Sequence, residues 1–335
     1  MNTDSLRQVA GPSTAALNAI RELSDISAAP DAYAGPLRSA IAEHYGISEQ
    51  AVRVGAGSAA LLHGVIARQA PTGGEVVCSA PTWPPYAQLA SSYGMRPRPF
   101  ALDGYDHDLP AIAAAAGPAT RLAMLDSPHS VTGTTVSLTE VAELADALPG
   151  NAVVVYDNVY GEYQDDDLTT AIRDTVRSGA RVLIFRSFSK AHRLFGLRIG
   201  YLLGHPDILE AAGPIVLHYD VNQPAQVAAR ASLADHRHLA ENCALVRRNR
   251  HLAIAVLADA GIAHAPSQGN SVLFRWNTGS SPRWDLEGAA ALLRTAGAFV
   301  RTPDEHGIAG HLHLRVDDLP AATLKQALTR LVEGP

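Results

Sequence analysis

The sequence predicts an α/β protein whose mainly parallel sheet is covered by helices, followed by a smaller α+β unit. Three observations carry this reading. Four strand-length apolar runs, EVVCSA (75–80), RLAMLDS (121–127), NAVVVYD (151–157) and RVLIFRS (181–187), end in small or polar residues. They are apolar without alternation, as strands buried on both faces are, and amphipathic helical segments separate them. After about residue 230 the pattern changes to a long polar helix and two isolated strand-like stretches.

A short amphipathic helix is expected over 13–23, followed by the loose SAAPDAYAGP (27–36). The segment VRVGAGSAALLHG (52–64) reads as strand, glycine turn and helix. Over 138–148, Val141, Leu144, Ala145 and Leu148 recur at helical spacing after the possible cap Ser137. A long polar helix is predicted for 233–260. Strands follow at NSVLFRW (270–276) and HLHLRV (311–316), with one helix between them and another at the end. This divides the chain into an N-terminal arm (1–34), a large domain (35–230) and a small C-terminal domain (231–335). The arm is expected to join the small domain or to reach a neighbouring subunit.

With 27 basic and 33 acidic residues and a net charge of −6, the chain lacks the excess positive charge that holds a phosphate backbone, which argues against a nucleic-acid partner. An apolar share of 47% is that of a globular protein. The two cysteines, Cys78 and Cys243, give no disulfide framework. No apolar run approaches the roughly 20 residues of a membrane span. The first residues also lack the apolar stretch of a signal peptide, so a cytoplasmic protein without a membrane partner is expected. Nearly all the positive charge is arginine: the lysines are Lys190 and Lys325 alone.

In sheets of this kind ligands sit at the carboxyl ends of the strands, which singles out Asp126, Asp157 and Ser187. Three segments could carry chemistry there. The turn at Gly55, Gly57 and Ala60 formally matches a dinucleotide fingerprint, but Glu75, at the right separation, opens its strand instead of closing it. A phosphate cradle at the helix start and an ordinary turn are the other readings. In RVLIFRSFSKAHRLFGLRIGYLLG (181–204), Lys190 follows a buried-looking strand among Phe185, Phe188, Leu194 and Phe195. Desolvation favours a lysine's neutral amine, the nucleophile toward carbonyls. Ser187, Ser189 and Arg198 could nest a phosphate beside it. In VVVYDNVYGEY (153–163), Asp157 at a strand end could keep a pyridine nitrogen protonated, with Tyr160 near by.

Together the phosphate turn, PTW, SPHSVTG, D-N-V-Y, S-F-S-K and G-L-R-I-G resemble the fold-type-I pyridoxal-phosphate aminotransferases of class I/II. The likeness is greatest to the histidinol-phosphate aminotransferase group, whose S-K-A-x-x-L-x-G-L-R-x-G run is matched nearly throughout from Ser189 to Gly200. The resemblance covers about Tyr33 to Arg315. It implies a large domain with a seven-stranded-type sheet and a small α+β domain. It also implies a pyridoxal 5'-phosphate cofactor and transfer of an amino group from an amino acid or related amine to a keto acid. Lys190 would form the Schiff base and shuttle the proton, Asp157 would pair with the ring nitrogen, and Tyr160 with the ring oxygen. Gly57, Ser58 and Ala59, with Ser187, Ser189 and Arg198, would hold the phosphate. Trp83 would stack on the ring, Tyr86 being second choice. Tyr33 would reach the phosphate of the other subunit of a homodimer, and Arg315 would grip the substrate carboxylate or phosphate.

Two departures from the family pattern stand out. The turn that usually reads N-P-x-N-P-T-G is here SPHSVTG, so Ser130 replaces an asparagine that donates to the ring oxygen. The stretch RQVAGPST (7–14) lacks the acidic N-E-N-P signature of histidinol-phosphate enzymes. Another reaction on the same cofactor (decarboxylation, oxidation, elimination or cyclisation), a nicotinamide-dependent oxidoreductase on the Gly55 turn, and a non-catalytic regulatory homologue are the alternatives. No metal site is expected. His311 and His313 read as a surface pair, His236, His238 and Cys243 as solvated, and Asp165 to Asp167 as a solvated acidic loop.

Overall fold

The computed structural model describes residues 11–70, 73–276, 284–317 and 319–333. Ten strands form two sheets. The larger comprises β1 (Val52–Gly55), β2 (Glu75–Ala80), β3 (Arg96–Ala101), β4 (Thr120–Asp126), β5 (Val153–Asp157), β6 (Val182–Ser187) and β7 (Gly200–Leu203), in the order β1-β7-β6-β5-β4-β2-β3. Only β7 runs against the others. The predicted seven-stranded, mainly parallel sheet is therefore present, and the four apolar runs are β2, β4, β5 and β6.

Those runs lack alternation because both faces of the sheet are covered. Along β4 and β5, Ala123, Leu125, Val154 and Tyr156 enter one core layer, while Leu122, Met124, Val153 and Val155 enter the layer on the opposite face. Helices supply the cover. The helix Leu138–Ala147 starts at Ser137 with a capping box, its hydroxyl accepting from the Glu140 amide while Glu140 accepts from Ser137.

The smaller sheet is antiparallel, in the order β8 (Ser271–Arg275), β10 (His311–Arg315), β9 (Val300–Arg301). Its core takes in Val272, Phe274, Leu312 and Leu314, with Leu324 and Leu328 of the last helix.

Several expectations are corrected. The long helix expected over 233–260 runs from His236 to Asp259, starting three residues later than expected because Asp235 turns its carboxylate onto the His238 amide at 3.1 Å and caps it, while Leu233 and Ala234 end the preceding helix, Gln223–Ala234. Ala225, Ala228, Ala229 and Leu233, before the break, face the core of the large sheet; Cys243, Val246, Ala253 and Leu257, after it, face that of the small one. In the arm, whose residues 1–10 lie outside the described residues, Gly11 O meets His238 Nε2 at 3.2 Å on the helix His236–Asp259, and the helix Thr14–Arg21 lies against the large core. It packs on Gln223–Ala234, with Ala16 in the large core.

His313 is buried, because β10 is the central strand of its sheet and both its faces are covered; its ring bonds Arg301 at 3.0 Å. His311 hydrogen-bonds Tyr105 at 3.0 Å. Cys243 is buried, and burial pushes its thiol up to about 12. His238, half-buried, bonds Asn242 at 2.9 Å, whereas His236 is exposed as expected. Asp165 is exposed but not idle: it receives the fully buried Arg250 at 2.6 Å, and Arg250 also donates to the Tyr163 and Gly269 carbonyls. Among the described residues, no helix is long and apolar enough to cross a membrane.

Candidate active site

β4, β5 and β6 end side by side, with Asp126 in register with Asp157, and Asp157 with Phe185 two residues before Ser187. Their end residues floor a pocket that is also lined by Lys190, Tyr160, Trp83 and Arg198. The three strand ends singled out in the sequence thus meet in one pocket.

Asp157 takes a hydrogen bond from the Tyr86 hydroxyl at 2.8 Å and one from the Val159 amide at 3.3 Å. Burial, opposed by the Tyr86 bond and reinforced by the charge of Asp126, pushes Asp157 up to about 6. The sign of the resulting pH dependence follows. An unfolded chain ionises this carboxyl near 3.8 while the folded protein resists until about 6, so the folded state carries no penalty below the first value and a full one above the second. Asp157→Asn should therefore leave the stability of the cofactor-free protein unchanged below pH 4 and raise it by up to about 3 kcal/mol above pH 6. Denaturant titrations of both proteins across this range would decide, and parallel curves would refute the shift.

A second group of residues forms a concave cradle. Gly57 has φ +94°, and a Cβ there would lie 2.9 Å from Arg198 Nη2, so the guanidinium approaches the backbone where only glycine leaves room. The helix Ser58–Gln69 starts on Gly57 without a side-chain cap, and Ser58 and Ala59 of its first turn line the pocket. Across from it, Arg198 Nη1 donates to Phe195 O at 3.1 Å, and the Ser189 amide donates to Ser187 Oγ at 3.0 Å.

Lys190 rises from the end of β6 into the same pocket, its Nζ 5.0 Å from the Tyr160 ring centre and 5.5 Å from that of Phe195. Lys325 is exposed on the last helix. Trp83 lines the pocket edge-on to Tyr86, the ring centres 5.3 Å apart and the planes at 79°. Tyr86 itself is buried and committed to Asp157, so Trp83 is the aromatic wall open to a ligand.

Ser130 also lines the pocket, and its buried Oγ has no hydrogen-bond partner among the described residues. Its amide donates to Asp126 Oδ2 at 2.6 Å. Asp126 Oδ1 accepts from Thr82 at 2.7 Å and faces His107 and His129 at 3.7 and 3.8 Å. The three residues are close enough together to hold a metal ion. Their hydrogen bonds point elsewhere: His129 Nδ1 accepts the Val131 and Thr132 amides, which leaves the proton on Nε2, the atom a metal would need bare. Burial holds His129 at about 4, so the ring is neutral at pH 7.

Three predicted site residues are not part of the pocket lining: Gly57, which sits next to Ser58 against Arg198, Tyr33 and Arg315. Tyr33 is exposed and bonds His218 at 2.6 Å beside a separate cleft. Arg315 gives Nε and Nη2 to Asp317 Oδ1 at 3.1 and 3.0 Å. Sequence reasoning overlooked three contributors: Thr82, Phe195 and the Tyr86–Asp157 bond. Only Phe195 carried a signal, its place between Lys190 and Arg198.

A profile of the aminotransferase class I and II family matches residues 8–331. The chain belongs to the class I and II aminotransferases. An aromatic amino acid aminotransferase of Thermobifida fusca is 34% identical over 292 residues, 87% of this chain and 80% of that one. A histidinol-phosphate aminotransferase of Rubrobacter xylanophilus is 34% identical over 283 residues, 84% of this chain and 77% of that one. The crystal structure of histidinol-phosphate aminotransferase from Sinorhizobium meliloti in complex with pyridoxal-5'-phosphate superposes with a TM-score of 0.77 at 26% identity, covering 96% of this chain and 88% of that one. This aminotransferase is a pyridoxal-phosphate-dependent enzyme, which overturns the oxidoreductase and non-catalytic alternatives. The pocket fits the cofactor: the cradle at Gly57 suits a phosphate, the orphan Ser130 hydroxyl a ring oxygen, and the Asp157 carboxyl a ring nitrogen.

Proposed function

We propose that the Lys190 pocket is where this aminotransferase exchanges an amino group between an amino acid and a keto acid. The observation that carries this reading is the convergence on one pocket of Asp157 at the end of β5, Lys190 and Arg198 from the segment after β6, and Ser58 from the turn after β1. Arg198, Ser58, Ser187, Ser189 and the amides after Gly57 would hold the cofactor phosphate, Trp83 would stack on the ring, and Tyr160 and Ser130 would serve the ring oxygen. Bound pyridoxal phosphate supplies a carbonyl carbon for amine exchange and an electron-accepting ring. Asp157 holds a proton at the ring nitrogen. Lys190 Nζ removes the substrate's Cα proton as a base and then returns a proton as an acid to the carbon across the nitrogen, two atoms along. The aromatic side chains of Trp83, Tyr160 and Phe195 limit water at that nitrogen.

Substrate is held through an α-carboxylate at Arg315, the last residue of β10. Asp317 supports this choice. With the carboxylate already offsetting the guanidinium, the site suits a singly charged group better than a phosphate, which carries a charge of about −1.5 to −2. A homodimer completes the site, with Tyr33 serving the partner. Tyr33, Leu217 and Tyr219 are all exposed, and the Tyr219 amide bonds Ala32 O at 3.0 Å, which gathers them on one surface patch. Mixing the holoenzyme with L-phenylalanine, L-tyrosine, L-aspartate or L-histidinol phosphate, each with 2-oxoglutarate, tests the reading. Loss of the cofactor's visible band and keto-acid release with an amino acid are expected; turnover of L-histidinol phosphate alone would overturn the carboxylate assignment.

Ser130 offers the ring oxygen a shorter donor than asparagine would, and a weaker donor disfavours the ionised oxygen. Ser130→Asn is expected to move the pH midpoint of the holoenzyme's visible band downward. Superimposable titrations would sink this role for Ser130.

A further inference from the structure

Arg193 occupies a position for which the pocket gives no reason. It is not a glycine, yet it holds φ +63°, in the left-handed region that L side chains avoid. Its side chain is 1% exposed, and Nε, Nη1 and Nη2 have no hydrogen-bond partner among the described residues. A buried guanidinium in that state is costly unless its charge is used.

Its surroundings show where the charge acts. The Arg193 amide donates to Lys190 O at 3.1 Å, closing the turn that carries the lysine. At the other end, Nη1 lies 3.6 Å from Asp317 Oδ2. The same carboxylate takes Asn270 on Oδ2 at 3.0 Å and Arg315 on Oδ1. One buried carboxylate is thus shared by two guanidiniums. Without Arg193, Asp317 would cancel the charge of Arg315; with it, the trio keeps one net positive charge.

We propose that Arg193 is a positioning residue for the substrate. Through Asp317 it ties the Arg315 guanidinium to the Lys190 turn and leaves a positive charge there for the incoming carboxylate. The inference rests on the reading of Arg315 given above. It also accounts for the backbone: the side chain that strains the turn is the one that spans the gap to the small sheet.

Binding to the holoenzyme of 3-phenylpropanoate, which has a carboxylate but no amine to react, and of the uncharged 3-phenylpropanamide separates the possibilities. Arg193→Gly relieves the left-handed strain, and Arg193→Gln keeps the bulk without the charge. Both are expected to weaken carboxylate binding about 10- to 100-fold while changing amide binding less than about two-fold. Arg193→Lys should recover most of the loss. Carboxylate binding at wild-type strength in either uncharged variant, or equal losses for carboxylate and amide, would overturn the proposal. The parent reading fails separately: it is lost if wild type binds the carboxylate no more tightly than the amide, or if Arg315→Ala leaves carboxylate binding intact.

Discussion

Replacing Lys190 by alanine should lower keto-acid formation by three or more orders of magnitude. Positioned proton transfer alone contributes roughly 10²–10⁴-fold, and the variant also loses the amine that attacks the cofactor carbonyl. The protein should still fold, because Lys190 is only part-buried and its amine meets ring faces, not a buried carboxylate. Borohydride reduction of the wild-type holoenzyme followed by peptide mapping should mark Lys190 and leave the exposed Lys325 untouched. A Lys190→Ala enzyme that turns over at the wild-type rate, or a label on Lys325, would refute the assignment.

Asp157→Ala is expected to have the next largest effect. Removing one partner of a buried charge pair costs about 3–5 kcal/mol, so turnover should fall by roughly two to three orders of magnitude. The loss has a signature that general damage lacks. Without the carboxylate the ring nitrogen has no reason to hold its proton, so a cofactor analogue carrying a permanent positive charge at that nitrogen should restore much of the activity. Failure of that rescue, with the analogue shown to be bound, would remove the role given to Asp157.

How far the sequence foretold these features depends on whether the controlling force was local. The strands β2, β4, β5 and β6 were legible because continuous apolar runs mean burial on both faces. The floor of the site followed from where those runs end. The long helix was legible, but its start at Asp235 was not, since an aspartate within a polar helical pattern is equally at home on a solvated face, and only its bond to the His238 amide makes it a cap. The surface reading of His313 failed for a similar reason: alternation along β10 cannot tell that both faces are covered. Arg193 was invisible because backbone handedness leaves no mark in composition. The site was read more fully than its supports, since Tyr86 and Thr82 act through hydroxyl bonds formed between segments distant in the chain.

The side-by-side ending of β4, β5 and β6 bears on how such an enzyme changes over time. Neighbouring strands are about 4.8 Å apart, so Asp126, Asp157 and Ser187 form a row about 10 Å wide, close to the span of a small aromatic ligand, stepped at Ser187, which lies two residues beyond the level of the other two. The register of that row is fixed by buried valines and leucines several residues upstream, which have no part in the chemistry. Each end residue can therefore be exchanged one at a time without disturbing the strand that carries it. Asp126 is the most constrained of them, because Thr82 and the Ser130 amide depend on its carboxylate: a scaffold resistant to mutation ends in a short line of side chains that is editable to different degrees.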